Sequence, residues 1–153
     1  MPTYTLLYVL HLLAALLWVG GMFFAWMVLR PAAAGILQPA ERLRLWVDVF
    51  ARFFRWVWAA VLVLPVSGFA LLHLRFASFD TAPGYVHAMF GLYLAMLALF
   101  LRIALLQLPQ LRRAVTSEDW PTGAIALGRI RRLVGINLII GLLIVIIAGA
   151  RLF

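Results

Sequence analysis

Three histidines are the side chains in this sequence best suited to chemistry: His11, His73 and His87. A neutral imidazole offers one ring nitrogen as a donor and the other as a lone pair, which suits copper, zinc and haem iron alike. Ligand type does not choose among these centres. With no cysteines in the chain, disulfides, thiolate sites, iron–sulfur clusters and a covalently attached c-type haem are excluded. A metal would be held by His, Met, carboxylate or backbone. Met89 lies two residues from His87, about 200° round a helix, so this pair does not clamp one ion. Gly91 sits one turn below His87, and Ala14, Ala15 and then Trp18 sit below His11. Small residues beneath two facing histidines leave room for a flat macrocycle, which favours a bis-imidazole haem b, although they equally permit close helix packing. Copper and haem b both stay open.

The elements that must position these side chains are four apolar stretches, at residues 3–29, 53–74, 85–106 and 133–152. A hydrocarbon core ~30 Å thick is crossed by about 20 apolar residues rising 1.5 Å each in a helix. A soluble core could not hide a composition that is 67% hydrophobic in only 153 residues. The sequence therefore predicts an all-α integral membrane protein, a single transmembrane domain of four helices over residues 1–153, with the lipid bilayer as its covering partner. The first stretch is read as a retained span rather than a cleavable signal, since no basic residue precedes it and its apolar run exceeds an h-region.

All thirteen cationic residues are arginines, against five acids. They are distributed by membrane side, with no basic stretch interleaved with base-stacking aromatics, so nucleic acid is not the expected partner. Arg30, Arg42, Arg44, Arg52 and Arg55 flank the first connection, and Arg112, Arg113, Arg129, Arg131 and Arg132 crowd the third. The second connection carries only Arg75. By the positive-inside rule, connections one and three face the cytoplasm of a bacterial inner membrane, which makes both termini and residues 75–84 periplasmic. The three histidines then lie roughly 10 Å, 3 Å and 5 Å below the outer boundary, for His11, His73 and His87 in turn, at 1.5 Å per residue. Three helices offer imidazole to the same outer third. An ionisable group as deep as His11 is a functional candidate by default.

Within residues 31–52, Leu43, Trp46, Val47 and Phe50 recur at helical spacing, which predicts an amphipathic helix in the inner interface running into span two. The run Thr116-Ser-Glu-Asp-Trp-Pro reads as a helix start leading into span four. Pro65 should kink span two unless neighbours satisfy the carbonyl it frees. Ser67, Gly68, Gly20, Gly21, Gly135 and Gly141 mark close helix approaches, Asn137 a bond to a neighbouring helix, and Arg102 a side chain snorkelling to the inner interface.

The runs His11-Leu-Leu-Ala-Ala-Leu-Leu-Trp-Val-Gly-Gly-Met-Phe-Phe, Arg30-Pro31 and Arg131-Arg-Leu-Val-Gly-Ile-Asn-Leu-Ile-Ile-Gly-Leu-Leu resemble the copper-resistance protein D (CopD) membrane domain in a short stand-alone form. The resemblance implies a role in copper homeostasis, with movement of copper from the periplasm across the inner membrane, and marks His11 and Trp18 as motif positions. A fainter similarity links the helix-one histidine and the histidine opening helix three to the HemJ-type haem-binding protoporphyrinogen oxidases. Here helix three opens His87-Ala-Met, and the chain contains no lysine, which departs from that family's His-x-Lys pair.

The expected activity is thus binding or moving copper at a periplasm-side cluster of His11, His87 and His73. The alternatives are a haem b redox protein, HemJ-like or quinone-linked, with His11, His87 and Trp18 at the cofactor, and a small accessory subunit of a larger membrane complex. Corresponding partners are a periplasmic copper carrier, a respiratory-complex subunit or a second copy of the chain. Whether the chain is an enzyme is left open, and hydrolytic chemistry finds no nucleophile–base pair within the spans.

Overall fold

The computed structural model describes residues 2–151, and in it four helices are long and apolar enough to cross a membrane: α1 Pro2–Ile36, α2 Pro39–Phe76, α3 Gly84–Thr116 and α4 Trp120–Ala150. Each contains one expected span within the described residues; Leu152, the end of the fourth, lies outside them. The protein is an all-helical membrane protein with four spanning helices. α1 packs chiefly on α2 and α3 on α4, while α4 also meets α1 and α2.

Topology alone sorts the polar side chains. His11, His73 and His87 lie toward the end of the bundle that carries the α2–α3 turn, where they are joined by Arg75 and Arg151. The other eleven arginines lie toward the opposite end, near the α1–α2 and α3–α4 turns. These are called below the histidine end and the arginine end.

The interfacial helix expected after residue 39 is instead the first third of α2, which continues unbroken to Phe76. Its apolar stripe is covered by protein rather than by headgroups. Leu43, Trp46 and Phe50 are buried, with Leu43 packed over Gly123 at the start of α4. The periodicity was legible, but it does not say whether lipid or another helix meets the stripe. The start of α4 agrees with the sequence: Asp119 caps it, accepting from the Thr122 hydroxyl at 2.7 Å, and Pro121 occupies the first turn.

Three prolines interrupt the helical ladder, and the structure meets them in two ways. Pro65 has no N–H for the Val61 carbonyl four residues back. The Tyr93 hydroxyl of α3 donates to that carbonyl at 2.8 Å, and α2 stays helical through the proline. In α1, a π-turn over Ala25–Leu29 lets Arg30 N–H reach back to the Ala25 carbonyl immediately before Pro31. In α3, a π-turn over Ile103–Gln107 likewise sends Leu108 N–H to the Ile103 carbonyl immediately before Pro109. Each π-turn thus closes on the residue just before a proline, at the point where the regular ladder next lacks a donor.

The core follows from large rings set against small residues. Trp18, 2% exposed, meets Tyr93 and Phe100 edge-on at centroid distances of 6.4 and 6.0 Å. Phe100 in turn meets Phe54 and Trp58 edge-on, the arrangement favoured by the ring quadrupole. Trp26 covers Gly135, and Val19 approaches Gly141 so closely that a side chain there would collide.

The Tyr93–Val61 bond gives a direct test. Tyr93→Phe should destabilise the folded protein in detergent by about 1 kcal/mol, read from unfolding titrations. The same change in a Pro65→Ala background should cost much less, because that background restores the missing N–H. Equal losses in the two backgrounds would mean that the hydroxyl does not serve the orphaned carbonyl.

Candidate metal centre

His11 is half-buried and belongs to the α1–α2 contact. Its Nδ1 lies 2.9 Å from Ser67 Oγ, and its ring rests on Gly68, where a Cβ would come 3.2 Å from His11 Cε1. The two small residues singled out on span two thus form the seat of this imidazole. Ser67 is 2% exposed, and its single hydroxyl hydrogen is directed to the Val63 carbonyl at 2.6 Å. The oxygen can then only accept from the ring. His11 therefore carries a proton on Nδ1.

His73 and His87 flank the α2–α3 turn, and both are exposed. The turn is tightly wound: Ser78 N–H bonds the Phe76 carbonyl across Ala77, whose φ is 66°, the geometry of a γ-turn. The Thr81 hydroxyl donates to the same Phe76 carbonyl. Against this frame, His73 Nδ1 lies 3.1 Å from the Ala77 carbonyl and His87 Nδ1 lies 3.2 Å from the Pro83 carbonyl. A carbonyl oxygen only accepts, so both rings also hold their proton on Nδ1. The His87 ring further meets Phe79 edge-on at 4.3 Å.

All three imidazoles therefore have Nδ1 tied to the protein. This is the pattern of a metal-ligating histidine oriented by a second hydrogen bond. The structure does not bring the three rings together into a closed site: among the described residues no group of three or more His, Cys, Asp or Glu is close enough to hold a metal. His11 sits with Ser67 and Gly68 on α2, while His87 sits with Phe79 and Pro83 at the turn. Gly91, expected to leave space beneath His87, is exposed, and a Cβ there would meet nothing. Trp18 is an aromatic core residue, packed on Tyr93 and Phe100.

Sequence reasoning missed the partners rather than the histidines. Ser67 stood out only as a small residue, and nothing in the spacing paired it with a histidine 56 positions away. Asn137 behaves as expected, its amide donating to the Met96 carbonyl of α3 at 3.3 Å. Its Oδ1, and Gln107 Oε1 in the second π-turn, are buried acceptors without a donor among the described residues.

In 15N spectra of histidine-labelled protein, all three rings should show a protonated Nδ1 and an unprotonated Nε2 near neutral pH. Ser67→Ala should release that preference at His11 alone. A His11 that is Nε2-protonated in the unaltered chain would overturn the assignment.

Comparison with known proteins bears on this end of the bundle. The family described as copper resistance protein D matches residues 47–151, which is over half of the chain and takes in His73, His87 and the run 131–143. His11 and Trp18 lie before the matched stretch. No curated protein and no solved structure matches the chain. By the extent of the family match, the chain belongs to the copper resistance protein D family.

Proposed function

We propose that this protein binds copper from the periplasm at its histidine end and passes it into the membrane bundle. The reading rests on family membership and on one observation above all: three imidazoles at one end of the bundle each have Nδ1 held by the protein, which makes Nε2 the nitrogen to meet a metal. With no cysteine in the chain, imidazole nitrogen is the strongest copper donor available. His73 and His87, exposed on either side of the turn, are placed for capture. His11 is the deeper acceptor, level with Ser67 of α2. Copper here is cargo, so separate capture and receiving groups serve it better than a closed cage that would hold it. His11 and His87 carry the proposal, with His73 as an outer auxiliary. Trp18 acts indirectly, by packing on the tyrosine that secures α2 beside the His11 seat.

The orientation this requires follows from the charges. Eleven arginines toward one end support a cytoplasmic position for that end in a bacterial inner membrane, with the histidine end toward the periplasm. Reporter fusions after residue 79 should be active as periplasmic enzymes and fusions after residue 117 as cytoplasmic fluorophores. A cytoplasmic signal at residue 79 would invert the bundle and end the periplasmic reading.

Copper itself is the second test. Expression should change cellular copper content, and His11→Ala should abolish the change while the protein still inserts at normal levels. His87→Ala should weaken it more than His73→Ala. Unchanged copper content with normally inserted protein would sink the proposal. A Soret band in the purified protein that disappears in His11→Ala and His87→Ala would replace it with the haem b alternative.

A further inference from the structure

We propose that the arginine end of the bundle holds an acidic phospholipid, its phosphate seated among Arg30, Arg42 and Arg131. These three side chains come from α1, α2 and α4 and line a single cleft of about 230 Å³. Arg30 and Arg42 are half-buried. The ion pairs among the described residues are Arg44 with Glu118 and Arg52 with Asp48, so the three guanidiniums facing this cleft have no carboxylate to balance them. Like charges around so small a space repel one another, and an anion between them turns that repulsion into attraction. Arg30 is stacked on Trp26 at 4.2 Å, which engages the face of the guanidinium and leaves its N–H edge for a phosphate.

Topological charge alone does not produce this arrangement. The positive-inside rule asks only that arginines lie near the inner surface, as Arg112, Arg113 and Arg132 do, exposed and outside the cleft. It does not aim three of them at one space from three helices. Basic pockets between helices at the cytoplasmic side are a recognised setting for anionic headgroups.

The remainder of the site selects a lipid over a free anion. Leu43, Trp46 and Leu127 complete the cleft with apolar surface, and a Cβ on Gly128 would meet only open space. Ala25, Phe50 and Val134 also border a second cleft, of about 380 Å³, whose wall is almost wholly aromatic and aliphatic. It is lined further by Phe24, Phe53 and Trp56, of which Phe24 and Trp56 are exposed on the bundle surface. A phosphate with an acyl chain fits this sequence of surfaces, the headgroup in the basic cleft and a chain along the apolar one.

The test uses the full-length chain, stripped of lipid in neutral detergent and returned to defined lipids, with bound lipid read by native mass spectrometry. Phosphatidylglycerol should be retained at one molecule per chain under conditions in which phosphatidylcholine is not. Arg42→Gln with Arg131→Gln should weaken retention about tenfold or more, as loss of charge-assisted phosphate bonds predicts. Arg112→Gln with Arg132→Gln, which removes the same net charge, should leave it unchanged. Gly128→Leu should weaken it with every charge intact, so a poorly folding arginine variant would not end the test. Equal losses in the two arginine pairs would overturn the site in favour of diffuse surface charge. Equal retention of phosphatidylcholine would reduce it to acyl-chain contact, and displacement by low concentrations of inorganic phosphate would make it a free-anion site. The histidines are untouched throughout, so failure here leaves the copper reading standing.

Discussion

Inside a hydrocarbon layer the backbone has no water to turn to, and an amide or carbonyl left without a partner there costs several kcal/mol. This sequence places Pro65 within a span and Pro31 and Pro109 just beyond the ends of two others, each within a long helix, and the local geometry responds at each. The two π-turns close one residue before Pro31 and Pro109. The Pro65 break is handled by a side chain from another helix, Tyr93. That choice has consequences. A tyrosine whose hydroxyl must reach Val61 fixes how α3 lies against α2, and its ring then becomes one wall of the Trp18 pocket. The repair of one missing N–H is therefore continuous with the aromatic core.

The same stretch of α2 carries the seat of His11. Ser67 follows Pro65 by two residues, and its hydroxyl donates back to the Val63 carbonyl, with the Leu64 carbonyl 3.3 Å away. Serine in a helix commonly bonds the preceding turn in this way. In water that habit weakens a helix, but here it also leaves the oxygen facing outward as an acceptor for a ring from α1. Gly68 supplies the space, since a Cβ would press on the imidazole. Proline, serine and glycine, each a poor helix former alone, together build a hydrogen-bonded niche for an imidazole between two helices.

Much of this was legible in the sequence, and the limits have physical causes. Four spans follow from hydrophobic length alone, because the bilayer sets a threshold that few other structures satisfy. The Asp119 cap and the helix leading into span four follow from local chemistry, which a linear string preserves. What the string does not preserve is the identity of a partner across space. The Leu43–Trp46–Phe50 stripe has the same period whether it faces headgroups or α4. Trp18 has the same spacing from His11 whether it lines a cofactor or fills the core. The π-turns were invisible for a different reason: prolines at 31 and 109 announce a disturbed ladder, but not that the turn before each widens by one residue. For the histidines, their grouping toward one end of the bundle was readable while the orientation of their rings was not. Nδ1 is tied to a serine at one ring and to backbone carbonyls at the other two, and both kinds of partner depend on how the chain turns.

The two ends of the bundle are built on opposite rules. At the histidine end, chemistry is directional: each imidazole is anchored through one nitrogen, and the anchors are short-range, drawn from one turn and one helix contact. At the arginine end, charge is concentrated and only partly paired, with two acids paired to arginines across eleven guanidiniums. A soluble protein would be destabilised by such crowding, because like charges repel and water is their only relief. A membrane offers another, in an anionic leaflet surface. The proposed orientation and the proposed lipid site both draw on this unbalanced charge, whereas the opposite end, with Asp80 its one acidic side chain among the described residues, would meet a cation mainly through imidazole nitrogen.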